Sequence, residues 1–343
     1  GEILERSSVT YLLTFRPDAI EYDGEFRDLK VKVYGAKGGR VSHREGYYAP
    51  RPYEAMHPLE KRLLASDAIA GATERDDLRI DILTAPFKAS ERLAYLPIIV
   101  EVNGFDLLTG QDSDQLPVEF YAYAYNEFGE MKDFFTQMVN LDLTKGREAF
   151  ERTGLKYYGH LDLPPGEYLV RILVRNADSG RSGVGSVSVG VPEYDQAEPV
   201  LLPPFFVEDN RDWFLVRESS SSEIPKKVVY PFTVKGEPYI PAALPNLKER
   251  QEAQLCLVAY NLGEGNLRLD GSIVAQDGTV MEADVLALQE RTITGIQGLD
   301  KLLATFKPNG LEPGEYTLQV ALRNEASGAV ETNSIPFTLG VSN

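Results

Sequence analysis

Leu-Pro-Pro-Gly-Glu-Tyr at residues 163–168 returns as Leu-Glu-Pro-Gly-Glu-Tyr at residues 311–316, so that Tyr168 and Tyr316 stand 148 positions apart. An Arg-Asn pair and a Ser-Gly pair follow each tyrosine at the same offset. The Pro-Gly pair predicts a type II turn, in which the glycine takes a positive φ, and the tyrosine begins an alternating strand. The repeat therefore predicts two copies of one β-domain.

Further predicted strands precede the first copy of this motif. Residues 78–83, 94–102 and 118–125 have the length and the apolar pattern of strands, and Gly, Pro, Asn or Asp residues bound each of them. Strands at this spacing, without helices between them, are typical of an antiparallel sandwich. We predict an all-β fold with two tandem immunoglobulin- or fibronectin-like sandwiches, over residues 75–195 and 196–343.

The first part of the chain predicts a different organisation. Residues 9–15 are β-branched and aromatic, and residues 29–34 alternate apolar and polar side chains, so we expect a strand in each. Residues 58–70 have a helical period behind a proline, which predicts a short amphipathic helix, the only helix that the sequence predicts. We assign residues 1–52 to terminal strands and residues 53–74 to a helical linker.

Length and charge limit what the chain binds. Its 343 residues exceed the roughly 250–300 at which one hydrophobic core stops growing, so we expect several domains. The net charge is −17, so nucleic acid and anionic membranes are not expected as partners. No apolar run reaches the roughly 20 residues of a membrane-spanning helix. Because the chain opens on Gly1 rather than methionine, we expect a fragment or a processed product.

Acidic side chains cluster in the loop around Gly110. Asp106, Asp112 and Asp114 lie there, and carboxylates and backbone carbonyls are the ligands that calcium takes. The spacing is not that of an EF-hand, and a solvated acidic loop is the other interpretation. The single cysteine, Cys256, excludes a cysteine-based metal site, and no other cofactor is expected.

Two groups of aromatic residues are candidates for binding. Tyr121, Tyr123 and Tyr125 share one face of a predicted strand, because side chains alternate along it. A row of tyrosines stacks on sugars or packs against a protein, and covering a neighbouring domain is the other interpretation. Trp213 stands in an aromatic cluster between the two copies, near Glu208, where inter-domain packing is the alternative to binding.

Three stretches near the start of the chain resemble a known family. Residues 11–17 read Tyr-Leu-Leu-Thr-Phe-Arg-Pro, residues 23–27 read Asp-Gly-Glu-Phe-Arg, and residues 46–50 read Gly-Tyr-Tyr-Ala-Pro. In this order they resemble the C-terminal end of a von Willebrand factor A-related domain, of the type abundant in secreted proteins of Acidobacteria. The helix at residues 58–68 and the Ser-Gly-Arg-x-Gly turn at residues 179–183 are similar to the downstream part of those proteins.

The resemblance implies a secreted, extracytoplasmic protein with a binding or adhesive role. Domains of that type bind proteins through a metal held by Asp-x-Ser-x-Ser, whereas the nearest string here, residues 270–274, ends in Val274. We therefore assign no metal ligands by this resemblance. It also implies that a truncated A-like domain pairs its strands with another chain, with its missing half or with the first sandwich.

These observations predict a non-enzymatic protein-binding, adhesion or scaffold module, because no catalytic serine, zinc or phosphate-binding motif occurs. The expected partner is another protein of an envelope or extracellular assembly, or the rest of its own A-like domain, bound by edge-strand pairing and aromatic packing. The alternative is a carbohydrate-binding accessory module that uses Tyr121, Tyr123, Tyr125 or Trp213. A hydrolase with paired carboxylates is a third class.

Overall fold

The computed structural model describes residues 13–14, 21, 23–34, 42–71, 76–90, 92–194, 198–208, 213–217, 230–282, 285–293 and 298–340. The chain divides into two compact units, Gly1–Leu63 and Leu64–Asn343. The strand predicted at residues 9–15 lies almost wholly outside the described residues. None of the described helices combines the length and the hydropathy that crossing a bilayer requires.

The described part of the chain contains three α-helices and 23 strands. The helices are α1 (Pro58–Ala70), α2 (Gly104–Leu108) and α3 (Arg147–Thr153). The strands are β1 (Phe26–Asp28), β2 (Gly46–Tyr48), β3 (Ile80–Thr84), β4 (Phe87–Ser90), β5 (Leu93–Val102), β6 (Gln115–Asn126), β7 (Met131–Asp142), β8 (Leu155–Leu163), β9 (Gly166–Asn176), β10 (Ser182–Val191), β11 (Val200–Leu201), β12 (Phe205–Phe206), β13 (Phe214–Arg217), β14 (Thr233–Val234), β15 (Glu237–Pro238), β16 (Asn246–Lys248), β17 (Ala253–Tyr260), β18 (Leu267–Ala275), β19 (Val280–Glu282), β20 (Leu286–Ile293), β21 (Leu299–Phe306), β22 (Gly314–Asn324) and β23 (Val330–Gly340).

In the first unit, β1 and β2 form an antiparallel hairpin. It pairs Phe26 with Tyr48, and their rings meet edge to face with centroids 5.0 Å apart. The strand predicted at residues 29–34 is not formed. That prediction is wrong because alternation specifies a strand only where one face is buried, whereas the side chain of Val33 is 56% exposed.

Two sheets form the first sandwich. One has the order β10-β9-β6-β7, and the other has the order β13-β8-β5-β3, with β4 also beside β5. All these pairs are antiparallel except that of β13 with β8, and β13 lies beyond residue 195 although it belongs to this sheet. Alternate side chains fill the space between the sheets, where the buried rings of Phe120 and Tyr157 stack at a centroid distance of 4.1 Å.

The second sandwich repeats this arrangement. Its sheets have the orders β16-β23-β22-β18-β19 and β11-β17-β21-β20, with β12 also beside β17. Strand β22 occupies the place of β9, and both run from the repeated glycine to the repeated asparagine, Gly166–Asn176 and Gly314–Asn324. The rings of Phe206, Phe306 and Phe337 meet in its core. The prediction of an all-β fold built from sandwiches is confirmed for the described part of the chain.

Helix α1 begins at Pro58, as the sequence predicts, whereas α2 and α3 are not predicted. They have five and seven residues, too few for an apolar period to appear in the sequence. Local contacts fix both of them instead. The side chain of Asn103 accepts a bond from the Asp106 N–H at 3.1 Å and begins α2, and Phe150 anchors α3 in the core.

The repeated tyrosine makes the same bond in both copies. The hydroxyl of Tyr168 donates to the carbonyl of Pro164, and that of Tyr316 donates to the carbonyl of Glu312, each at 2.8 Å. Such a tyrosine corner is a hallmark of many sandwiches. The predicted type II turn is wrong, because φ is 148° at Gly166 and is not positive at the equivalent glycine. The glycine instead adjoins the ring, since a Cβ on it would lie 3.4 Å from the Tyr168 hydroxyl.

A buried asparagine closes the next turn in both copies. Asn176 is 0% exposed and Asn324 is 2% exposed. The side-chain oxygen of each accepts two backbone N–H groups of its own turn, at 2.8–3.2 Å. The amide nitrogen donates to the carbonyl of Leu107 in α2 at 3.1 Å in the first copy, and to the loop carbonyls of Leu262 at 2.6 Å and Glu264 at 3.1 Å in the second. One side chain thus satisfies three backbone groups in the first copy and four in the second.

Replacing either asparagine with alanine leaves these backbone groups unsatisfied. We expect Asn176→Ala and Asn324→Ala each to lower the free energy of unfolding by about 2–4 kcal/mol. The control is Asn140→Ala, at an exposed position of β7, with an expected change below about 0.5 kcal/mol. Urea unfolding followed by circular dichroism measures all three variants, and a similar effect in each of them would contradict the assigned role.

Candidate functional site

The predicted tyrosine row lies on the outer face of the first sandwich. Tyr121, Tyr123 and Tyr125 occupy alternate positions of β6 and are half-buried, while the positions between them point into the core. The tyrosines pack against a small apolar cluster of α1 and β9, whose buried members are Ala65, Ala68, Ile69 and Leu173. The second half of the helix therefore covers part of the row.

Arginine side chains fasten this helix and one of the tyrosines to the sheet. The guanidinium of Arg171 donates to the carbonyls of Ile69 at 2.6 Å and Ala70 at 2.9 Å, at the end of α1. A cation there satisfies free carbonyls and opposes the negative end of the helix dipole. The hydroxyl of Tyr121 accepts a bond from Arg175 at 3.1 Å. Burial raises the pKa of the Tyr121 hydroxyl, so it stays neutral.

The row of rings continues onto β7, where the next apolar side chains are exposed. Tyr125, Tyr123 and Phe134 form a line of nearly parallel rings, with successive centroid distances of 6.3 and 5.7 Å and interplanar angles of 12° and 15°. Phe134 is 53% exposed, and so is Met138 four residues further along β7. We call Tyr123, Tyr125, Phe134 and Met138 the aromatic face. Large apolar side chains that are exposed together mark interaction sites.

Strand β7 is also the edge of its sheet. It pairs with β6 along Met131–Asp142 and with no other described strand. Alternate N–H and C=O groups along the outer side of these 12 residues therefore have no strand partner within the described ranges. The strand contains no proline that would block pairing. An open backbone edge and exposed apolar side chains thus coincide in β7.

Sequence reasoning points to the tyrosines but misses Phe134 and Met138. Both occupy the alternate positions of β7 that Lys132, Asn140 and Asp142 share, on the face turned to solvent. Apolar residues at such positions are a detectable signal once the strand and its buried face are known. The sequence alone does not show that this face belongs to an edge strand, because strand order depends on distant residues.

Trp213 lies beside a buried cluster of ions. Lys156 on β8 is inaccessible to solvent, and its ammonium contacts the carboxylates of Glu208 at 2.6 Å and Glu101 at 2.9 Å. Glu101 and Lys156 face each other in register on β5 and β8, whereas Glu208 belongs to residues 202–245, which we call the joining segment. The Trp213 ring covers the ammonium, 4.8 Å from its centroid. The indole thus packs against Lys156 of β8.

The same ion cluster holds a second part of the joining segment. The carboxylate of Glu101 accepts the backbone N–H groups of Ala243 at 2.9 Å and Leu244 at 3.3 Å. Burial raises the pKa of Glu208, and the ammonium of Lys156 opposes this rise. Two carboxylates around one cation leave an excess negative charge, which favours a bound proton. The cluster therefore ties the joining segment to β5 and β8 at two places.

The acidic loop does not form the calcium site that the sequence suggests. Asp106 accepts a bond from the backbone N–H of Arg79 at 3.2 Å, and Asp114 pairs with Arg147 at 3.5 Å. Within the residues that the structure describes, no three His, Cys, Asp or Glu side chains gather as a metal requires. Asp106, Asp112 and Asp114 are close in sequence, but two of these carboxylates turn to arginines instead of to a common centre.

Comparisons with known proteins assign no family, since no protein-family model and no curated protein matches the chain. A family 123 glycoside hydrolase from Clostridium perfringens is 11% identical over 29% of this chain and 22% of its own, with a TM-score of 0.23. Bacteroides uniformis beta-glucuronidase 2 is 16% identical over 50% of this chain and 16% of its own, with a TM-score of 0.22. Escherichia coli alpha-2-macroglobulin is 12% identical over 78% of this chain and 22% of its own, with a TM-score of 0.21. The chain spans less than a quarter of each, and such TM-scores carry no argument about function.

Removing the cation from the buried ion cluster should be costly. Lys156→Met removes the ammonium that the carboxylates of Glu101 and Glu208 both contact, and we expect it to lower the free energy of unfolding by about 3–5 kcal/mol. The triple variant K156M/E101Q/E208Q removes all three charges and is expected to recover a large part of that loss. Urea unfolding measures the free energy of unfolding of both variants.

The matched control for this substitution is Lys307→Met. Lys307 is 43% exposed and pairs with Glu252 at 2.7 Å on the surface, so the expected loss is below about 1 kcal/mol. A triple variant that is as unstable as Lys156→Met alone would show that uncompensated charge is not the cause of the loss.

The raised pKa of Glu208 gives a pH dependence of known sign. A carboxyl whose pKa in the folded protein lies above its ordinary value of 4.5 binds a proton more tightly when folded. Its contribution favours folding at low pH and is lost as the pH rises through the folded pKa. We expect the stability of Glu208→Gln, relative to the unsubstituted chain, to increase from pH 4.5 to about pH 7. Urea unfolding at a series of pH values measures this difference, and a constant difference would contradict the prediction.

Proposed function

We propose that this chain is a non-enzymatic protein-binding module of an extracytoplasmic assembly, and that its partner adds an extended segment to the free edge of β7. The observation that carries the proposal is the coincidence of this edge with the aromatic face. Main-chain bonds along an edge strand supply affinity, and apolar contacts beside it supply specificity. The resemblance of residues 1–52 to von Willebrand A-related secreted proteins supports the extracytoplasmic location.

Length distinguishes the edge of β7 from its counterpart in the second sandwich. β7 offers 12 residues, or about 40 Å of strand at roughly 3.3 Å per residue. β19, which pairs with β18 as β7 pairs with β6, has three residues. Of the two equivalent edges, only that of β7 is long enough to hold several residues of a partner strand.

The charge of the chain indicates the chemistry of the partner. The net charge of −17 repels acidic segments and favours a neutral or basic one. Apolar side chains at alternate positions of that segment would complement the aromatic face, because alternate residues of an added strand lie over the same face of the sheet. A second protein of the assembly is the proposed source.

Carbohydrate binding is the second candidate function. Sugars stack on aromatic surfaces, and the adjacent rings of Tyr125, Tyr123 and Phe134 lie within 15° of parallel. Trp213 does not extend this surface, because its ring lies on the ammonium of Lys156. A glycan would therefore bind the aromatic face alone.

Site-specific crosslinking tests the proposed function. A photoreactive phenylalanine analogue replaces Phe134 in one sample and Val280, which is 57% exposed in the second sandwich, in a matched sample. Each sample is mixed with protein from the native source, and crosslinked peptides are identified by mass spectrometry. We expect the analogue at position 134 to crosslink one protein through one extended segment, and the analogue at position 280 not to do so.

Competition by unlabelled chain provides the control. F134S/M138S is expected to compete roughly tenfold less well than the unsubstituted chain, because it removes the apolar contacts. V280S/V330S removes exposed apolar side chains of the second sandwich and should compete fully. Crosslinks from both positions alike, or undiminished competition by F134S/M138S, would contradict the proposal. Saturable binding of a polysaccharide that F134S/M138S abolishes, without a protein crosslink, would favour the carbohydrate-binding alternative.

A further inference from the structure

A cavity of about 360 Å³ opens between the joining segment and the outer face of the second sandwich. The hairpin of β14 and β15 borders one side of it, and β17, β20 and β21 border the other. Apolar side chains form most of its wall, among them Phe205, Phe232, Val234, Val258 and Leu303. Ligand sites are usually apolar cavities of roughly 300–1,000 Å³ with a few polar groups, so this one suits a small ligand.

One half-buried cation lies in this wall. Lys301 pairs in register with Val258, and its ammonium donates to the carbonyl of Pro231 and to the hydroxyl of Thr233, both at 2.9 Å. Both acceptors are neutral, and no described carboxylate pairs with the ammonium. Glu290 lines the same cavity but is exposed to solvent. Burial lowers the pKa of Lys301, as expected for a cation without a close counter-charge.

The other polar groups of the wall are neutral. The hydroxyl of Tyr239 and the thiol of Cys256 form a hydrogen bond, and burial raises the pKa of both groups. A neutral thiol is a poor nucleophile, so the cavity is suited to binding rather than to covalent chemistry. Lys301 therefore supplies the one charge of the described cavity wall that is partly shielded from solvent, since Lys235 and Glu290, which also line the cavity, are exposed and have opposite charges.

We propose that this cavity binds a small apolar monocarboxylate, with the carboxylate on Lys301 and the hydrocarbon against Phe205, Phe232 and Leu303. The half-buried ammonium of Lys301 balances one negative charge, and the exposed charges of Lys235 and Glu290 offset each other, whereas a phosphate group carries nearly two. The apolar walls favour burial of the hydrocarbon, and a charge-assisted hydrogen bond is stronger in such surroundings than in water. The bound carboxylate supplies the counter-charge that the described residues do not.

Octanoate is the probe for this site, and octan-1-ol, which has the same chain without the charge, is the comparison. Calorimetric titration is expected to show that octanoate binds roughly tenfold more tightly than octanol, because of the charge-assisted bond. Cys256 supplies a second readout, since it is the single cysteine and lies in the cavity wall. Saturating octanoate is expected to slow alkylation of its thiol by iodoacetamide about fivefold or more.

Variants of Lys301 separate the role of its charge from that of its shape. Lys301→Met is expected to weaken octanoate binding roughly tenfold and to leave octanol binding nearly unchanged, which also shows that the cavity still forms. Lys301→Arg keeps the charge and is expected to retain octanoate binding within about threefold. Lys307→Met, at an exposed lysine beyond the end of β21, is the control and should bind octanoate normally.

Three results would overturn the assignment. Octanol that binds as tightly as octanoate would remove the role of the charge. Alkylation of Cys256 at an unchanged rate in saturating octanoate would place the binding elsewhere. Full octanoate affinity in Lys301→Met would show that Lys301 does not hold the carboxylate.

Discussion

The ammonium of Lys156 is the constraint on which the arrangement of the second unit depends. A fully buried cation is tolerated only where counter-charges reach it, and here they come from two sources. Glu101 stands opposite it in the sheet, so this pair forms with the strands themselves. Glu208 arrives from the joining segment, and the Glu101 carboxylate binds that segment again at the N–H groups of Ala243 and Leu244. The Lys156–Glu101 pair of the first sandwich thus positions the joining segment at Glu208 and at residues 243–244.

The aromatic side chains of the joining segment reach fixed positions as a result. Phe205 stacks on Phe87 of the first sandwich at a centroid distance of 6.0 Å, and Phe232 meets both rings edge to face at 5.0 and 5.4 Å. Buried residues of the first sandwich, the joining segment and the outer face of β17 belong to one continuous apolar cluster. Phe205 and Phe232 also line the cavity beside Lys301, so the geometry of that cavity depends on the same segment.

Local features of the sequence predict the strands well, whereas contacts between distant residues are not visible in it. The repeat locates β9 and β22, although each strand begins two residues before the predicted tyrosine. The repeat is informative because the bonds of each tyrosine and asparagine lie mostly within their own turns. Lys156 looks like an ordinary polar position of an alternating strand, and Glu208 follows it 52 positions later. The prediction of a calcium site in the acidic loop is wrong for the same reason. The sequence does not show that Asp106 and Asp114 contact arginines from elsewhere in the chain. The alternation of side chains along the strand predicts the tyrosines of the aromatic face. The exposure of Phe134 depends on strand order, which the sequence does not show.

The joining segment covers one lysine on each sandwich, fully at Lys156 and partly at Lys301, and the two differ in what surrounds their charge. Lys156 contacts two carboxylates, whereas Lys301 bonds only to neutral oxygens. Removing either ammonium from water is costly, yet of these two lysines only Lys156 has a counter-charge among the residues that the structure describes. A methionine at position 301 would fill similar space without that cost, so a cation there does not serve stability by itself. Its charge becomes favourable when an anion binds, and for this reason the same segment acts as a structural clamp at Lys156 and as one wall of a ligand site at Lys301.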